Sequence, residues 1–89
     1  MLINTRSEFY AALKNGPYAW PGGYPLFFVT SDGAALSFES AENNSGEIAD
    51  SIERGLSDGW RVVGLDINYE DADLICDDTG KPIECAYSD

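Results

Sequence analysis

The chain contains no histidine, so any chemistry must come from carboxylates, thiols and hydroxyls. Ser–His–Asp and Cys–His catalysis, imidazole acid–base work and most zinc sites are thereby excluded. Asp78-Thr79-Gly80 matches the aspartic-protease triplet. That chemistry requires an apolar strand leading into the Asp and a buried pair of carboxyls sharing one proton. Here Asp77 precedes the triplet and Lys81-Pro82 follows it, which reads instead as an ordinary turn. The run from Asp66 to Asp73 resembles the first half of an EF-hand loop, but Asp71 stands where the sixth-position glycine belongs and Asp77 where the bidentate glutamate belongs. Cys76 and Cys85 are too widely spaced for a zinc knuckle, and too few for a secreted disulfide scaffold. They are expected as reduced, buried, small apolar side chains, with a hairpin disulfide as the alternative. No nucleophile–base pair is visible. The expectation is a binding protein rather than an enzyme, with no catalytic residue, metal or cofactor.

The carboxylates themselves are the unusual feature. Sixteen Asp and Glu stand against five Lys and Arg, a formal net charge of −11 on 89 residues. Direct binding of nucleic acid or of an anionic membrane is disfavoured, because both require cations to neutralise phosphates. A solvated surface explains a charge of a few units, but self-repulsion at this excess destabilises the compact state. Carboxylates two apart on a strand repeat at about 6.6 Å, the same order as the roughly 3.4 Å phosphate spacing along one strand of B-DNA. A folded acidic face can therefore stand in for a phosphate row. Two sets are candidates: Asp66, Glu70, Asp71, Asp73, Asp77 and Asp78 near the C-terminus, and Glu39, Glu42, Glu47, Asp50 and Glu53 on a helix.

These residues need elements to position them, and the length fits one domain over residues 1–89. Thr5 and Glu8 have capping-box spacing, and Gly16-Pro17 stops the helix that follows, Arg6 to Asn15. Tyr18 to Pro25 reads as an ordered loop packed by its own rings. Of Tyr18, Trp20, Tyr24 and Trp60, most are expected to cap a small core, with Tyr18 or Trp20 the exceptions. Leu26 to Thr30 and Ala34 to Phe38 read as a hairpin across Ser31-Asp32-Gly33. Glu39 to Ser57 reads as a second helix, interruptible at Asn43 to Gly46. At about 100° per residue its five acids gather on one side, with Ala41, Ile48, Ala49, Ile52 and Leu56 on the other. Trp60 to Tyr69 reads as a strand, Val63, Leu65 and Ile67 facing Ile48, Ile52 and Leu56. Leu74 to Cys76 and Ile83 to Ala86 flank a second hairpin. The expected fold is α+β, in the order α-β-β-α-β-β-β, an antiparallel sheet with two helices on one face.

No apolar run approaches the roughly twenty residues of a membrane span, and Met1 to Asn4 lacks the basic start of a signal peptide. With the cysteine usage, this points to a cytoplasm. Four segments carry a resemblance: residues 18–38 (YAWPGGYPLFFVTSDGAALSF), 58–63 (DGWRVV), 66–71 (DINYED) and 76–80 (CDDTG). They resemble a family of small phage and prophage proteins, and the chain is similar to anti-CRISPR proteins directed at type I systems, of which type I-C is one. The resemblance implies binding to the host surveillance complex as an acidic mimic of target DNA, in the host cytoplasm. Under it the two acidic sets above would meet a basic nucleic-acid-binding surface, with the protein acting as a monomer. The alternative is a structural or regulatory phage protein that is acidic for solubility only.

Overall fold

The computed structural model describes residues 1–19 and 22–86. Trp20, read above as part of the aromatic loop, lies outside the described residues. The elements run α1 (Arg6–Asn15), β1 (Tyr18–Ala19), β2 (Tyr24–Thr30), β3 (Ala35–Leu36), α2 (Phe38–Asn43), α3 (Ser45–Arg54) and β4 (Val62–Ile67). The fold is α+β with an antiparallel sheet, as the hydrophobic patterns imply, but with α-β-β-β-α-α-β order and three helices.

The first helix begins where local chemistry dictates. The Thr5 side chain accepts from the Glu8 backbone N–H, and the Glu8 carboxylate accepts from the Thr5 N–H in return, satisfying two orphan donors of the first turn. The segment expected to be a loop makes a small hairpin instead. Gly22 and Gly23, with φ of 107° and 69°, reverse the chain so that Tyr18 pairs with Pro25 and Ala19 with Tyr24. β-branched or bulky residues avoid that half of backbone space, so these two glycines are what allow the reversal.

Strand β2 is the centre of the sheet. Along one edge it pairs with β4, Leu26 opposite Ile67 and Phe28 opposite Leu65. Its other edge takes β1 at the start and β3 at the end, Phe28 opposite Leu36. The return strand expected over Ala34 to Phe38 is shorter than its pattern, because the Ser37 side chain accepts from the Ser40 N–H and starts α2 at Phe38. The expected second helix is broken at Asn44, the last cap of α2 and the first of α3, so two helices become three. The outer edge of β4 is covered by the chain start: Leu2 bridges Gly64, and the Ile3 N–H donates to the Val63 carbonyl at 2.9 Å.

The core forms where Phe28 meets Phe9 of α1 and Phe38 of α2, with ring centroids 5.3 and 4.5 Å away. Ile48, Ala41 and Ile52 join it from the helices, and Val62, Cys76 and Ile83 from the C-terminal half. The facing of β4 differs from simple alternation. Register shifts by one residue between Val29 and Thr30, so Val62 pairs with Thr30 and Gly64 with Val29, leaving Val63 as a bulge. Val62 is therefore buried, while Val63, Leu65 and Ile67 are half-buried. One extra residue in a strand exchanges the faces before and after it.

The expected C-terminal strands shrink to a single bridge, Ile75 to Pro82, with the Cys76 N–H donating to Lys81 and the Ile83 N–H to Leu74. Proline has no N–H to extend the ladder. This hairpin docks on β3, where the Asp77 N–H donates to the Ala35 carbonyl at 2.9 Å. Cys76 and Cys85 are free and buried. Burial pushes the Cys76 thiol up, but hydrogen bonds from the Ser37 N–H and from Thr79 outweigh it and bring it down from 9.0 to about 7. A depressed folded-state value means the thiolate contributes stability that is fully present above about 9 and lost as pH falls through about 7. Urea melts of the wild type between about pH 6 and 9 should rise with pH by more than those of Cys76→Ser. Parallel curves for the two proteins would contradict this.

Candidate functional site

All eleven acids singled out in the sequence are exposed, but they do not form one face. Of the C-terminal set only Asp66 lies on a strand. Glu70, Asp71 and Asp73 occupy the turn after β4, and Asp77 and Asp78 the tip of the following hairpin. The 6.6 Å strand repeat expected for these carboxylates is therefore absent, because the chain leaves the sheet at Asn68.

Asn68 explains that departure. It reads as an outward strand position yet is only 3% exposed. Its side-chain amide donates to the carbonyls of Asp71, Ile83 and Glu84, and its carbonyl oxygen accepts from the Asp71 N–H. Its backbone N–H donates to Pro25, and its backbone carbonyl accepts from Ala86. One buried side chain thus ties the acidic turn and the C-terminal segment to the end of β2. Asn68→Ala leaves several acceptors unpaired, each costing about 1–3 kcal/mol when buried. The expected loss in a denaturant melt is about 2 kcal/mol; a loss of a few tenths would show that water replaces the amide.

Some of the acids serve the fold. Asp78 accepts from the buried Ser40 hydroxyl at 2.7 Å and from the Asn44 side chain at 3.3 Å, fixing the hairpin tip to α2. The Asp71 carboxylate accepts from the Asp73 N–H at 3.0 Å, and that of Asp66 from the Ile67 N–H at 2.8 Å. Outside both sets, Asp58 accepts from the buried Ser51 hydroxyl and from the Trp60 N–H, 2.7 and 3.0 Å. These bonds, the one from Ser51 first, hold its carboxyl below the usual range. They fasten the end of α3 to the approach to β4.

On the helical set the faces separate as the periodicity requires. Ala41, Ile48, Ala49 and Ile52 are buried, Leu56 is half-buried, and Glu39, Glu42, Glu47, Asp50 and Glu53 are exposed. Three of these five have a cation of the chain beside them: Glu53 pairs with Arg6 at 2.9 Å, Asp50 with Arg54 at 3.4 Å and Glu39 with Lys81 at 4.0 Å. Among the described residues, no member of the C-terminal set has an ion pair. Its negative potential is therefore less compensated from within than that of the helical set.

Tyr24 meets Tyr69 edge-on, with centroids 5.5 Å apart. Tyr18 is 48% exposed and donates its hydroxyl to Glu84 at 2.7 Å; that hydrogen bond raises its phenol above the usual value. Trp60 packs against the core, as expected of a capping ring. Among the described residues, no cluster of three or more metal-ligating side chains occurs, and no helix is long and apolar enough to cross a membrane. Comparison with protein-family models, with curated proteins and with solved structures finds no match to this chain.

Proposed function

We propose that the protein is a phage-derived anti-CRISPR inhibitor that binds a type I surveillance complex in the host cytoplasm and blocks its access to target DNA. It acts as an acidic mimic of DNA and does no chemistry of its own. One observation carries the reading: the exposed carboxylates of Asp66 on β4 and of Glu70, Asp71, Asp73 and Asp77 on turns held by Asn68 and by the Asp78–Ser40 bond, with no ion pair among the described residues. Rigid placement lowers the ordering cost of binding, and a strong field of one sign steers a basic groove onto the surface. The resemblance of residues 18–38, 58–63, 66–71 and 76–80 to small phage proteins supplies the class of partner. The helical acids, largely paired within the chain, form a second and weaker face.

A second reading, acidity for solubility alone, is favoured by the dispersal of the carboxylates over separate turns. The two readings part in one experiment. The immobilised protein should retain a purified type I surveillance complex at low salt, and excess duplex carrying the target should release it. A complex that passes through unretained, or is retained equally in the presence of target, would leave only the solubility reading.

A further inference from the structure

Three pairs in the chain set a glycine after Asn or Asp: Asn15-Gly16, Asp32-Gly33 and Asp58-Gly59. At such a pair the backbone nitrogen of the glycine can attack the side-chain carbonyl carbon of the residue before it and close a five-membered ring. Glycine is the residue that permits this most readily, because it has no Cβ to obstruct the approach. The structure separates the three pairs. The Asp32 carboxylate accepts from the Thr30 hydroxyl, and that of Asp58 from the Ser51 hydroxyl and the Trp60 N–H, at 2.7 and 3.0 Å. These bonds, from Thr30 and from Ser51 first, hold both carboxyls below their usual range. They favour the ionised form, which is a poor electrophile. Asn15 is different. It is the exposed last residue of α1, and its side chain holds no hydrogen bond among the described residues. Its amide is uncharged and open to attack.

Gly16 leaves the helix at this point, with φ 91° and ψ 175°, and its N–H donates to the Leu13 carbonyl at 3.2 Å. Bonds at a helix end open at little cost. The space that a Cβ on Gly16 would take has no atom within 4 Å, so nothing packed there confines the glycine. The other asparagines each lack a condition. Thr5 follows Asn4 and Asn44 follows Asn43, and both put a Cβ beside the attacking nitrogen. The Asn44 amide donates to the Ser40 carbonyl at 2.9 Å and to Asp78 at 3.3 Å. That of Asn68 is buried on three carbonyls. We infer that Asn15 is a site of spontaneous deamidation. The Gly16 nitrogen bonds to Asn15 Cγ, the Cγ–Nδ2 bond breaks, and ammonia leaves with the proton of the Gly16 amide. Water then opens the succinimide at either carbonyl, giving aspartate or an isoaspartate whose main chain runs through the former side chain. The new carboxylate stands at the negative end of the α1 dipole, where a cation is favoured and an anion is not. The isoaspartate also lengthens the backbone beside the Gly16–Leu13 bond. The conversion is independent of the function proposed above.

The test is incubation of the full, folded chain in mildly alkaline buffer, with ion-exchange separation of charge forms and peptide mass mapping at intervals. Asn15 should exchange its amide for an acid roughly tenfold or more faster than Asn44 and Asn68, whose held amides require an opening first. The rate should rise with pH, because the attacking nitrogen must lose its proton. The product should accept a methyl group from an isoaspartyl carboxyl methyltransferase. Asn15→Gln, at the same exposed position, would need a six-membered ring and should remain a single charge form over the same period. Equal conversion at Asn15, Asn44 and Asn68 would overturn the inference. So would a wild type that stays intact while folded and converts at Asn15 only in urea, since α1 would then protect the site. A more acidic form arising at the same rate in Asn15→Gln would assign the reaction to another residue and overturn it likewise.

Discussion

Replacing Phe28 with alanine should cost about 3–5 kcal/mol, a large fraction of the roughly 5–15 kcal/mol that holds a domain folded. Phe28 has no exposed surface. It sits mid-strand in β2, between Leu36 on one side and Leu65 on the other. Its ring lies against Phe9 and Phe38, so the sheet and two helices meet on it. The surrounding residues belong to different elements and cannot collapse together into the cavity, which is the condition that makes large-to-small substitutions expensive. Phe28→Leu retains most of the volume and should cost much less. Urea melts of the two variants measure the difference. A loss below about 1 kcal/mol for the alanine variant would show that the site relaxes, and that the core is centred elsewhere.

The second large effect concerns binding. Glu70→Lys, Asp73→Lys and Asp77→Lys together should weaken binding to a type I surveillance complex about a hundredfold, or about 2.7 kcal/mol. Among the described residues these three carboxylates hold no hydrogen bond, unlike those of Asp66, Asp71 and Asp78. Reversing them changes the surface charge by six units while leaving the Asn68 and Ser40 attachments in place. Folding should survive, since relief of like-charge repulsion is neutral or favourable at a net charge of −11. The matched reversal of Glu53 and Asp50, which are paired with Arg6 and Arg54, should have the smaller effect on binding.

Local chemistry was legible in the sequence. The Thr5–Glu8 capping box needs only four residues, and helix α1 begins and ends where the sequence says it does. The apolar and acidic sides of α2 and α3 follow from helical periodicity alone, even across the break at Asn44. What the sequence hid depends on distant partners. The bulge at Val63 exists only in register with β2, and it decides that Val62 and not Val63 is buried. Asn68 has the polarity of a surface residue, and its burial depends on the Ile83 and Glu84 carbonyls reaching it. The candidate surface divides in the same way. Composition reveals the excess charge, and exposure follows from it. Which carboxylates are committed to the fold does not: Asp78 serves Ser40, 38 residues earlier, and Asp58 serves Ser51 across the end of α3.

Competition with target duplex shows whether the exposed carboxylates replace DNA at a basic groove. Labelled target duplex bound to a purified type I surveillance complex would be titrated with the wild type and with the Glu70→Lys/Asp73→Lys/Asp77→Lys variant across a salt series. The wild type should displace the duplex with an affinity that falls as salt rises. The folded variant should need about a hundredfold more protein at low salt, with the gap narrowing as salt screens the charges. Displacement by the variant equal to that by the wild type, with the same salt dependence, would contradict DNA mimicry.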